Sequence, residues 1–188
     1  MSKKAPLVGF VISVLLVTAT VLYYRFFLRT EETFLLDNPT EQSLNIVLNG
    51  KKYSLAPKQT ASIEVLDGKN TVSAVSEDGK TILKDTFFLA EKPRRGIVNP
   101  TFSDYYIFKR YYGYIKNIDS LYKAHQTTID GKVYFGEIKA SKDLFINNFY
   151  FNIDQDFPKI VNKHDSIESR TKIFRKNQFL EFYRSNYE

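Results

Sequence analysis

Few side chains in this sequence have the type and spacing that chemistry requires. His125 and His164 lie too far apart to share a helix face as metal ligands, and there is no cysteine, so no metal centre is expected. His164-Asp165 together with Asp154 and Asp156 offers an imidazole and carboxylates, but Asp-x-Asp lacks the remaining ligands of a calcium loop. Glu64 with Asp67, and Glu137 with Asp143, are carboxylate pairs of the kind that cleave glycosidic bonds when about 5 to 9.5 Å apart. Surface acids are the simpler expectation for both pairs. No Gly-x-Ser-x-Gly, Ser-x-x-Lys, phosphate-binding loop or dinucleotide fingerprint occurs. The sequence therefore predicts no catalytic residue, no cofactor and no metal.

Two groups of residues suit binding instead. Within Asp104 to Tyr114, Tyr105, Tyr106, Tyr111 and Tyr112 surround Lys109 and Arg110, a composition that stacks on flat ligands while the cations hold anions. That is a candidate platform for glycan or peptide. The competing expectation is a central strand covered on both faces, since aromatic residues favour strands and their rings supply core area. The second group is Gly9 and Ser13, four apart in an apolar segment, a small-xxx-small spacing that lets another membrane helix approach; Thr18 and Thr20 add hydroxyls nearby.

The elements that must position these groups begin with Leu7 to Tyr24, which contains no charge. At 1.5 Å per residue, roughly 18 to 22 helical residues, counting the flank Phe26, Phe27 and Leu28, reach about 27 to 33 Å, the hydrocarbon thickness of a bilayer. Val17-Thr18-Ala19 offers a signal-peptidase site, but the apolar run continues beyond it into an interfacial flank containing Tyr23, Tyr24, Arg25 and Arg29. An uncleaved signal anchor in a cell inner membrane is expected. Lys3 and Lys4 on the short side balance Arg25 and Arg29, and the α-amino group tips the N-terminus toward the cytoplasm, leaving the body periplasmic.

Charge narrows the partners of that body. Of 27 Lys and Arg, four fall before residue 30, leaving 23 against 21 acids, all of which follow Thr30; the body is thus +2, not the +6 of the whole chain. No clustered basic excess predicts nucleic-acid binding. Expected partners are the lipid bilayer and an integral-membrane or other envelope protein.

From Thr33 to Leu89, short β-type runs alternate with turns: Thr33 to Leu36, Ser43 to Leu48, Lys52 to Leu55, Ala61 to Leu66, Thr71 to Val75, Thr81 to Leu83 and Thr86 to Leu89. Asn49-Gly50 is a strong hairpin signal. The order Asn49-Gly50, Leu55-Ala56-Pro57, Leu66-Asp67-Gly68, Asp78-Gly79-Lys80 resembles small extracytoplasmic β-sandwich modules of the PEGA and immunoglobulin-like kind on bacterial envelope proteins. The resemblance covers Asn38 to Leu89. Ala56-Pro57-Lys58-Gln59 stands where the tetrapeptide naming the PEGA family would fall. It implies a sandwich that binds or spaces rather than catalyses.

Glu91 to Pro100 reads as a linker. Beyond it, Tyr114 to Gln126 suits a short helix, Lys132 to Ile138 a strand, and Leu144 to Ile153 a strand pair or one bulged strand. Asp165-Ser166-Ile167-Glu168 suits a capping box opening a helix to about Arg184, with Ile173, Lys176, Phe179, Leu180 and Tyr183 on one stripe. The expected fold is mainly β: an N-terminal tail and single transmembrane helix over 1–30, an Ig-like or PEGA-like sandwich over 31–95, and an aromatic-rich β region with a C-terminal helix over 96–188. The expected function is a non-catalytic interaction or accessory subunit of an envelope complex. The alternatives are an anchored enzyme on cell-wall polymers and a glycan or peptide module using residues 105–114.

Overall fold

The computed structural model describes residues 5–23, 33–91, 95–112, 117–157 and 168–188. These belong to two units, residues 1–32 and 33–188. The first holds helix α1, Ala5–Tyr23. Its side chains from Phe10 to Tyr23 are exposed on every face. Thr18 Oγ1 donates to the Val14 carbonyl at 2.9 Å and Thr20 Oγ1 to that of Leu16 at 2.8 Å. Both hydroxyl protons are thus used inside the helix rather than held for a neighbour. Among the described residues, no helix is long and apolar enough to cross a membrane. Tyr24 to Arg29 and the flanking Lys3 and Lys4 lie outside the described residues, as do the surroundings of Gly9.

The second unit is mainly β. One sheet has the order β3 (Lys51–Leu55), β2 (Leu44–Leu48), β5 (Gly68–Ser76), β6 (Thr81–Ala90). Another has the order β12 (Phe145–Ile146), β7 (Arg95–Val98), β1 (Thr33–Asp37), β4 (Thr60–Ile63). A third runs β11 (Ile138–Ser141), β8 (Tyr105–Tyr112), β13 (Glu168–Arg175). Helix α2 (Ile118–Lys123), the hairpin of β9 (Gln126–Ile129) with β10 (Lys132–Phe135), and helix α3 (Lys176–Tyr187) complete the unit.

Strand alternation arranges these into layers. In β1, Phe34 and Leu36 join Leu44, Ile46, Val72 and Phe88 in a core between the two four-stranded sheets, the interior of a β-sandwich. Leu35 points the other way, to Ile97, Tyr105, Ile107 and Ile173, so the back of the β1 sheet packs on the β8 sheet. The far face of β8 carries Tyr106 and Phe108 against Phe174, Tyr134 and the α3 residues Phe179 and Tyr183.

Local signals explain the turns. Asn49 and Gly50 have φ of 49° and 80°, the left-handed pair of a tight hairpin between β2 and β3. Asn49 also accepts the Thr71 N–H at 2.9 Å and donates to Asn70 Oδ1 at 2.8 Å, tying the turn to β5. The parallel neighbours β1 and β7 lead respectively into Asn38-Pro39-Thr40 and Asn99-Pro100-Thr101. Both asparagines are fully buried, and the side-chain oxygen of each accepts the hydroxyl of the threonine two residues on, at 2.7 and 3.1 Å.

Several elements differ from expectation. Thr81–Ala90 is one strand, its register against β5 shifted between Val72 and Val75. Residues 95–98 form β7, not a linker; they sit between β1 and β12, so the expected 95/96 boundary falls inside a buried sheet. Gly136 ends β10 before β11 begins, and of Leu144 to Ile153 only Phe145–Ile146 is a strand, with Phe151 bridging Lys172. The helix expected from Asp165 begins only at Lys176; Glu168–Arg175 is a strand because its alternating residues face two cores, Ile173 one and Phe174 the other. Asp165 lies outside the described residues.

Candidate functional site

The tyrosine-rich stretch is β8, the middle strand of its sheet, and its alternation divides the six platform residues between two faces. Tyr105, Lys109 and Tyr111 share one side with Ile107; Tyr106, Arg110 and Tyr112 share the other with Phe108. Tyr105, Tyr106 and Tyr112 are buried. Tyr106 stacks on Phe179 at 5.3 Å between ring centroids. Tyr105 donates its hydroxyl to Asp37, and burial, reinforced by the Asp37 charge, pushes that hydroxyl well above the usual tyrosine range. The six residues therefore form no common exposed plane, because three of the rings serve as core. Lys109, Arg110 and Tyr111 are half-buried and remain as functional groups.

On the Lys109 side, a cavity of about 480 Å³ is lined by Lys109, His125, Thr127, Glu137, Asn148 and Thr171, among others. Lys109 Nζ lies 3.0 Å from Glu137 Oε2, and its charge also sits 5.3 Å from the Tyr111 ring centre. Glu137 is thus paired with a cation rather than with Asp143, which accepts the Ser141 hydroxyl at 2.7 Å. Glu137 is the only carboxylate among the described residues lining this cavity, so no second acid stands beside it there in the arrangement that two-carboxylate hydrolysis uses. Gly136 beside it has φ of 115°, and a Cβ there would lie 2.9 Å from the Phe108 ring, so only glycine fits this bend. Glu64 and Asp67, the other carboxylate pair, are exposed. His164 lies outside the described residues, and among those described no group of three His, Asp or Glu side chains could hold a metal ion.

The Arg110 side carries a second cavity, of about 460 Å³. The Arg110 guanidinium lies 5.8 Å from the Tyr112 ring centre and 5.7 Å from that of Phe157. On the neighbouring strand Lys172 is buried, 5% exposed, beside the Phe174 ring at 4.9 Å. Its ammonium donates to the carbonyls of Asn152 at 2.8 Å and Ile153 at 3.1 Å, and to that of Gln155. Three acceptors match its three protons and pin the 152–155 loop to β13. Burial pushes this ammonium down to about 8, against the opposing pull of Asp156 and Asp154. Among the described residues, the buried Tyr112 hydroxyl and Asn152 Nδ2 have no hydrogen-bond partner.

Sequence reasoning singled out Arg110 and the acids of this loop but not Lys172, whose significance depends on carbonyls about twenty residues away. It also missed Asp37 and Arg175, which meet only in the fold. No family model, curated protein or solved structure matches the chain.

Proposed function

We propose that this chain is a non-catalytic, membrane-anchored accessory or protein-interaction subunit of an envelope complex, with α1 as a single-pass anchor and the β body outside the cytoplasm. The observation that carries the reading is α1 itself, whose side chains from Phe10 to Tyr23 are exposed all round, Phe10, Leu15 and Leu16 by 68%, 63% and 64%. A helix apolar on every side calls for an apolar environment on every side, and a bilayer supplies one. The 19 residues of α1 span about 28 Å at 1.5 Å per residue, close to the thickness of a hydrocarbon core, and the sequence that follows is apolar at Tyr24 and at Phe26 to Leu28 around Arg25. Residues 33–188 form a compact unit with their own cores, and the sandwich core within it supports an immunoglobulin-like or PEGA-like module over 31–95. Gly9 and Ser13 are the proposed docking positions for a membrane partner.

Protease added to cells with a permeabilised outer layer tests the topology: digestion of the body is expected, and protection that is lost only on lysis of the inner membrane contradicts it. Co-purification in mild detergent tests the docking: Gly9→Leu should reduce partner recovery with insertion intact, whereas undiminished recovery with a polyleucine span makes α1 an anchor only.

A further inference from the structure

The half-buried Arg110 guanidinium lies beside aromatic rings and has no acidic partner among the described residues. Its neighbours at close range are the rings of Tyr112 and Phe157, and among the described residues no carboxylate lies within ion-pairing distance of it. Rings close to a guanidinium hold its plane while leaving its N–H edge for a planar, two-oxygen acceptor. Lys172, which pairs with Phe108 and lies on the same side of the sheet, adds positive charge to the cavity but no donor, because its three protons are already bonded to carbonyls. The cavity, open to solvent and of about 460 Å³, has the volume of a small-molecule site, and Phe157, Phe174 and Phe182 give it an aromatic wall. Asp156 and Glu181 also line it, and both are exposed. Their charge opposes any anion and opposes a dianion about twice as strongly, which favours a single carboxylate over a phosphate group.

We propose that this cavity binds a small monocarboxylate with an aromatic or apolar body, its carboxylate on Arg110 and its body against Phe157, Phe174 and Phe182. The site is independent of the anchor, since every residue in it belongs to the body.

The full-length chain in dodecylmaltoside micelles is titrated calorimetrically with 3-phenylpropionate, with 3-phenylpropionamide and with phenyl phosphate, each against a micelle blank. Saturable binding of the acid is expected, with the amide about tenfold weaker, as loss of one charge-assisted pair implies. Phenyl phosphate should also bind more weakly than the acid. Arg110→Gln should bring the acid down to the level of the amide. Ser185→Tyr, an exposed position lining the same cavity, should block binding without touching the core, and serves if Arg110→Gln fails to fold. Equal affinity for acid and amide, tighter binding of phenyl phosphate, unaltered binding by the folded Ser185→Tyr chain, or no saturable binding would each overturn the assignment.

Discussion

Arg175 grips Asp37 across 138 residues of sequence, its Nε donating to Oδ2 at 2.9 Å while its Nη2 donates to Oδ1. Asp37 is fully buried at the end of β1, and Arg175 sits where β13 passes into α3, so the pair joins the sandwich to the β8 layer. The Tyr105 hydroxyl donates to the same carboxylate. Removing one partner of a buried pair leaves an uncompensated charge, a cost of about 3 to 5 kcal/mol, whereas replacing both by apolar groups is close to neutral. Arg175→Met should therefore destabilise the body by about 3 kcal/mol in urea melts, and adding Asp37→Leu together with Tyr105→Phe, which removes the buried hydroxyl that Asp37→Leu would otherwise orphan, should restore most of that. Additive losses in the triple variant would show that the three groups do not act as a unit.

Gly96 reports on the packing of β7. A Cβ at that position would collide with Phe145 Cε2 and fall 2.6 Å from its Cζ, and the Phe145 ring is itself stacked on Phe88 at 4.8 Å. The ring cannot yield without disturbing the sandwich core, so Gly96→Ala should cost about 1 to 3 kcal/mol, the usual range for overpacking. Adding Phe145→Leu should recover part of the loss. Full stability of Gly96→Ala alone would mean that the β7 and β12 contact is looser than described.

Lys172 predicts a pH dependence of defined sign. Its folded value, about 8, lies below the ordinary 10.5, so between these values the unfolded chain binds more protons and stability rises with pH. The rise should amount to about 1 kcal/mol between roughly pH 8 and 9.5, below the range in which tyrosines titrate. Lys172→Met should flatten it. Denaturant midpoints followed across that window check the slope, and a slope unchanged in the variant would assign it to another group.

How legible this was in the sequence depended on how local each signal was. Asn49-Gly50 and the alternation of Leu44, Ile46 and Leu48 announce the β2 and β3 hairpin because turn and strand are written in neighbouring residues. The covered strand β8 was readable for the same reason, from apolar and aromatic residues at consecutive positions. β7 was not: four residues beside prolines and arginines look like a loop until parallel pairing with β1 buries them. The Ile173 to Tyr183 stripe fits a helix throughout, and only the pairing of Ile173 and Phe174 with β8 makes its first part a strand. Of the candidate binding groups, the sequence showed the cations of β8 but not which rings would be consumed by the core, since that depends on α3 and the β9 and β10 hairpin folding over one face. Asp37 with Arg175, and Lys172 with its carbonyls, are products of tertiary contact alone.

The central claim is that α1 holds this body to a membrane, and fractionation with alkaline carbonate tests it most directly. Membranes from cells expressing the full chain are washed at about pH 11, which strips peripheral proteins but leaves lipid-spanning helices in place. The account predicts that the full chain stays in the pellet and floats with lipid in a density gradient, while a chain beginning at Glu31 is recovered in the supernatant. Release of the full chain by carbonate, or retention of the shortened chain, would contradict it.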